Sequence, residues 1–211
     1  MGDAPVEKRE KLTFRRLSGL DRSGPPPPET QAGAPLRPWT IPNAIGYIRL
    51  AAIPVFLVLA LNSESGTDAL PAVMFALIAW SDYFDGIAAR LTGQYSRMGA
   101  LLDPLVDRLL IISGVIVCWK FELLPRWALA VLAARELVML VLARIAMARG
   151  VDLKINWLGR LGVWPVFSAL FFALCGVDIL ARVLLYIGLA LVLVATVQYV
   201  RDGLRQASSS G

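Results

Sequence analysis

The chain has no histidine and only two cysteines, Cys118 and Cys175. Without imidazole a zinc site is not expected. Both thiols lie in apolar surroundings, so they read as buried packing groups with no disulfide framework to build. Charge is also scarce: Asp, Glu, Lys and Arg make up 18% of residues against 57% hydrophobic, and the mean hydropathy is +0.62. That balance excludes an ordinary soluble domain and points to one integral membrane domain. No internal repeat is visible. No apolar run follows the basic residues at the N-terminus, so that region does not read as a signal peptide. The net charge of +5 and pI near 9.6 suit anionic lipid headgroups and anionic substrates, with no nucleic acid partner implied.

Residues 1–38 are basic and proline-rich, with a run from Pro25 to Pro28. They read as a disordered cytoplasmic tail. A juxtamembrane amphipathic helix around Lys11 to Leu20 is the alternative, with Leu12, Phe14, Leu17 and Leu20 opposed to Arg15 and Arg16. Trp39 is placed as an interfacial anchor. The membrane domain is expected over 39–205, with a flexible tail at 206–211. It divides into six apolar spans, near Asn43–Leu61, Ala69–Arg90, Gly99–Trp119, Trp127–Ala148, Leu158–Cys175 and Leu180–Val200. Pro165 is expected to kink the fifth.

The expected fold is therefore an all-α integral membrane bundle with both termini on one side. Seven Lys or Arg precede Trp39, and Arg90, Arg97, Arg144, Arg149, Lys154, Arg160, Arg201 and Arg205 fall on the same side. The opposite side has Lys120, Arg126 and Arg182. The positive-inside rule makes the termini cytoplasmic, with a bacterial inner membrane the expected location.

Four aspartates then stand out between two apolar stretches: Asp82, Asp85, Asp103 and Asp107. Carboxylates in apolar helices are expensive to bury. Asp82 and Asp85 share one helix face by their i, i+3 spacing, and Asp103 and Asp107 do so at i, i+4. If the chain turns near Gly93 and Gln94, Asp85 faces Asp103 and Asp82 faces Asp107 at matching heights. Four converging acids need counter-charge. Oxygen-only donors select a hard divalent ion, Mg²⁺, Mn²⁺ or Ca²⁺. Arg49, two turns into the first span, is expected to face the bundle interior, or else to snorkel to the headgroups.

The pattern Asp82-x2-Asp85-Gly86-x2-Ala89-Arg90-x8-Gly99-x3-Asp103-x3-Asp107 resembles the signature of the CDP-alcohol phosphatidyltransferases at every fixed position. The resemblance runs over about Pro42 to Arg205. It implies a six-span fold, often homodimeric, that moves a phosphatidyl group from CDP-diacylglycerol to an alcohol and releases CMP. It implies that the four aspartates hold two divalent ions, Mg²⁺ or Mn²⁺, and that Asp107 is the catalytic base. It implies donor contacts from Asp82, Gly86, Ala89, Arg90, Gly99, Asn43 and Arg49. Gly86 and Ala89 would leave room for the nucleotide, or serve plain helix packing.

Pro42-Asn43-x5-Arg49-x4-Pro54 is similar to the phosphatidylglycerophosphate synthase and cardiolipin synthase branch, as is Arg135-Glu136 followed by Arg144. Members of that branch usually carry Ser or Thr where this chain has Gly46. They commonly read Gly-Lys-x-Lys-Thr where this chain has Gly159-Arg160-Leu161-Gly162-Val163. A phosphate-bearing acceptor calls for fixed positive charge, for which Arg135, Arg144, Lys154 and Arg160 are the candidates. Arg135 has the alternative of pairing with Glu136. Glycerol 3-phosphate is the leading acceptor, phosphatidylglycerol the second, and an inositol phosphate a distant third. A cation transporter or channel is the reading from another class. The acids all lie toward one face, which argues against a continuous route.

Overall fold

The computed structural model describes residues 35–92, 94–148 and 157–209. These residues form six helices and no strand. They are α1 (Ile41–Leu61), α2 (Ala69–Thr92), α3 (Arg97–Lys120), α4 (Arg126–Ala148), α5 (Trp157–Leu174) and α6 (Asp178–Ser209). The expected N-terminal tail and amphipathic helix lie outside the described residues.

Local chemistry sets the helix starts. Thr40 is extended and caps α1, its hydroxyl accepting from Asn43 N at 3.3 Å, while Pro42 occupies the first turn, where its missing N–H costs nothing. Ser96 caps α3 in the same way, accepting from Gly99 N at 3.0 Å. The spans foreseen from hydropathy match these helices to within a few residues, except at the end. α6 runs on past Val200 to Ser209. Of the nine residues that follow Val200 in the helix, Arg201, Leu204, Arg205, Gln206 and Ala207 are good helix formers, so leaving an apolar environment does not end the helix. The 206–211 segment expected to be a flexible tail is therefore helical through Ser209.

Three helices are long and apolar enough to cross a membrane among the described residues. They are α1, at hydropathy 2.2, the Ala69–Ala89 part of α2, at 1.3, and the Asp178–Arg201 part of α6, at 2.4. The apolar stretch of α5, Gly162–Leu174, is shorter. α3 and α4 are diluted by charges in their middles: Asp103, Asp107 and Arg108 on α3, Arg135 and Glu136 on α4.

α1 packs on both α2 and α3, and α5 lies along α6. α3 also reaches α4 and α5, and α4 reaches α6. The core joins all six through Phe56, Phe75, Leu110, Val117, Leu129, Leu132, Leu170, Leu174 and Leu185, all fully buried. Phe75 stacks obliquely between Phe56 and Phe167, with ring centroids 5.5 and 6.1 Å away. The α5–α6 pair is close because of two glycines. A Cβ on Gly188 would lie 2.9 Å from Val166 N, and one on Gly162 would lie 3.0 Å from Val192 N. Small residues that let backbones meet are how apolar helices gain packing energy without a hydrophobic drive between them.

Candidate functional site

The site begins at the joined starts of α1 and α3. Asn43 is 1% exposed, and its amide is fully engaged. Nδ2 donates to the carbonyls of Arg37 and Pro38 at 3.0 and 3.1 Å, and Oδ1 accepts from the Ser96 hydroxyl at 2.9 Å. Ser96 thus caps its own helix and ties it to α1. The same approach is clamped by Met98 N on Leu36 O at 3.2 Å and by Ile41 N on Gln94 Oε1 at 3.0 Å. Gly99 is part of this joint. A Cβ there would lie 2.8 Å from Asn43 Oδ1, so the position has room only for hydrogen. Gly46 faces the other side of the joint, where a Cβ would meet Leu102 Cδ2 at 2.4 Å.

Two turns along α1 from this joint, Arg49 is 2% exposed and points into the bundle, as the cost of a buried charge requires. Its Nη1 stands 3.1 Å from Asp82 Oδ1 on α2, and its Nη2 stands 3.0 Å from Asp107 Oδ1 on α3. Its Nε donates to the carbonyl of Ile78, one turn before Asp82, at 3.3 Å. The planar fork of the guanidinium allows one side chain to serve two helices at once. The outer aspartates of the motif therefore converge as their spacing foretells, on a guanidinium. Their side chains are 47% and 33% exposed, so the cluster opens toward the surface on the side away from Arg49.

Asp103 is partly buried, one turn before Asp107 on α3, and Pro104 separates the two. Gly86 and Ala89 lie partly buried on α2. The backbones of Asp85 and Arg90 belong to α2, and their side chains lie outside the description. Among the described residues no group of three or more carboxylates, thiols or imidazoles lies close enough to hold a metal ion. The donor chemistry nonetheless fits a hard divalent cation: carboxylate oxygens only, partly open to solvent, on two helices held at one height by Arg49.

A second charged cluster lies where α3, α4 and α6 meet. Glu136 is 1% exposed. Arg135 Nη1 pairs with Glu136 Oε1, and Arg108 Nε approaches Glu136 Oε2 at 3.9 Å. Arg135 Nε donates to the Thr196 hydroxyl at 3.2 Å, which in turn donates to Val192 O at 2.7 Å. Arg135 thus takes the pairing alternative and stands next to the aspartate motif through Arg108, the residue after Asp107. Arg144 is exposed on α4, away from this cluster. Arg160 is on α5 with its side chain outside the description, and Lys154 lies outside the described residues.

Arg108 was missed by the sequence reasoning, though the signal was available. Of the 21 Lys and Arg residues, Arg49, Arg108 and Arg135 are the ones in the middle of an apolar helix. The cost argument that singled out Arg49 applies equally to Arg108. Ser96 and Thr196 carried no such signal.

A helical membrane protein whose paired aspartates project from two helices onto a buried arginine is the class that this architecture defines. The sequence profile of the CDP-alcohol phosphatidyltransferase family matches residues 39–194, and the chain belongs to that family of enzymes. It is similar to the cardiolipin synthase (CMP-forming) of Streptomyces coelicolor, at 40% identity over 135 residues, 62% of each chain. It is similar to the CDP-diacylglycerol--glycerol-3-phosphate 3-phosphatidyltransferase of Bacillus subtilis, at 30% over 143 residues, 62% of this chain and 74% of that one. It is also similar to a probable phosphatidylglycerophosphate synthase of Mycobacterium tuberculosis, at 32% over 186 residues, 84% of this chain and 88% of that one. The chain spans less than two thirds of the length of the Streptomyces relative.

Proposed function

We propose that this protein transfers a phosphatidyl group from CDP-diacylglycerol to the hydroxyl of glycerol 3-phosphate, giving phosphatidylglycerol phosphate and CMP. The observation that carries the reading is the complete aspartate motif, with Asp82 and Asp107 gathered on Arg49. In this reading all six helices cross a bacterial inner membrane, the termini and the aspartates face the cytoplasm, and two chains form a homodimer.

Asp107 takes the proton of the attacking hydroxyl. That oxygen bonds to the phosphorus of the phosphatidyl group, and the bond from this phosphorus to the bridging oxygen breaks. CMP leaves with the bridging oxygen and its electron pair. Arg49 keeps Asp107 and Asp82 in place across α2 and α3. Two divalent cations, Mg²⁺ or Mn²⁺, held by Asp82, Asp85, Asp103 and Asp107, would neutralise the donor's pyrophosphate and polarise the transferring group. Arg90, Gly86 and Ala89 receive the donor, and Arg144, Lys154 and Arg160 supply positive charge for the acceptor's phosphate, Arg135 being paired with Glu136.

A second acceptor has its own support. The Streptomyces relative at 40% identity is named a cardiolipin synthase, and the segment Gly159 to Val163 is less basic than the branch pattern. Phosphatidylglycerol is the acceptor in that reading. A panel of acceptors with purified protein, CDP-diacylglycerol and Mg²⁺, following CMP, separates the two. Release with glycerol 3-phosphate alone supports the first reading. Release with phosphatidylglycerol alone replaces it by the second, and no release with either overturns both.

A further inference from the structure

Arg49 is more than a neighbour of the aspartates. Its contacts to Asp82 Oδ1, Asp107 Oδ1 and Ile78 O reach two helices from a third. Without a cation between them, carboxylates brought to one height on α2 and α3 repel and push those helices apart. The guanidinium removes that repulsion from inside the fold, at a depth where its own side chain is 2% exposed. We propose that Arg49 is a resident counter-cation: it assembles the outer carboxylates Asp82 and Asp107 before any divalent ion arrives, so the bundle does not depend on the ion for its packing.

This inference rests on the divalent-ion reading above and adds a role that activity alone does not report. A guanidinium fixed on Oδ1 of both carboxylates also repels an incoming cation. The arrangement therefore exchanges some ion affinity for a preassembled site. Removing the guanidinium should transfer the task of holding α2 and α3 together from the protein to the ion.

The test is thermal unfolding of the full chain in nanodiscs, wild type and Arg49→Met, each in EDTA and in saturating Mn²⁺. Wild type should gain only a few degrees from Mn²⁺. Arg49→Met in EDTA should melt roughly 10 °C lower than wild type, because two carboxylates lose a buried partner, and Mn²⁺ should restore most of the difference. A drop of the same size with and without Mn²⁺ would mean ordinary packing by Arg49 and would overturn the proposal, as would no drop at all. Arg49→Lys covers the case in which the methionine variant cannot be purified. Its single ammonium cannot fork to both carboxylates, so its Mn²⁺ gain should exceed that of wild type, and an equal gain overturns the proposal. CMP release by wild type is read in parallel. Its absence with the melting pattern intact counts against the proposed reaction only, and the reverse result counts against the counter-cation only.

Discussion

The Ser96 hydroxyl donates to Asn43 Oδ1 at 2.9 Å across 53 residues of sequence, and this bond joins the first turns of α1 and α3. The donor is also the cap of α3, and the acceptor's Nδ2 holds two carbonyls of the chain leading into α1. Replacing Asn43 by Asp keeps the acceptor and the shape but sets a carboxylate against two carbonyl oxygens. Asn43→Asp should cost about 1–3 kcal/mol, the range for leaving buried polar groups unsatisfied. Denaturant or thermal unfolding in detergent measures it, and a loss below that of Asn43→Ser would show that the two carbonyl contacts contribute little.

Gly99→Ala tests the same joint from the other side. The added methyl would stand 2.8 Å from Asn43 Oδ1 and 3.3 Å from Ser96 Oγ. Overpacking of this kind costs about 1–3 kcal/mol. Because α3 must shift to relieve it, kcat for CMP release should fall along with Tm. Wild-type kcat in a variant with lowered Tm would separate the joint from the chemistry.

Asp107→Asn should lower CMP release by about 10²–10⁴-fold, the usual range for losing a general base, with the helical content unchanged. The amide oxygen can still accept from Arg49 Nη2, so the side chain keeps its place. Turnover near the wild-type rate in this variant would remove Asp107 from the role of base.

Chelation is the matching test of the ion. EDTA should abolish CMP release, and Mg²⁺ or Mn²⁺ should restore it, while Zn²⁺ should serve poorly at an oxygen-only site. Undiminished release after exhaustive chelation would refute the two-ion reading.

Glu136 offers a prediction about stability. It is the carboxylate between Arg135 and Arg108. Glu136→Ala would leave two guanidiniums in a buried place without it, at a cost of about 3–5 kcal/mol. Thr196→Val removes only one hydroxyl acceptor from Arg135 and should cost about 1 kcal/mol. Unfolding of the two variants side by side gives the ratio, and equal losses would mean that Glu136 is not the charge that holds the cluster.

The height at which Asp82 meets Asp107 was readable in the sequence, because helical rise and a turn near Gly93 fix it. The inward direction of Arg49 was readable too, from the cost of a charge in an apolar span. Its choice of partners was not: spacing gives depth along a helix, while the angle at which three helices face one another comes from their packing. For the same reason Asn43 and Arg135 could be marked as notable and yet not be assigned to Ser96 or Thr196. The extent of α6 was misjudged because hydropathy reports the end of an apolar stretch, and a helix continues for as long as its residues tolerate the geometry.

That continuation has a physical consequence. At a rise of about 1.5 Å per residue, the 32 residues of α6 measure about 48 Å, against a hydrocarbon layer of about 30 Å. Even a strongly tilted α6 of that length exceeds the hydrocarbon layer. In the proposed membrane placement its closing turns extend past the hydrocarbon layer. A fluorophore or spin label placed there would report the tilt of the bundle in the bilayer.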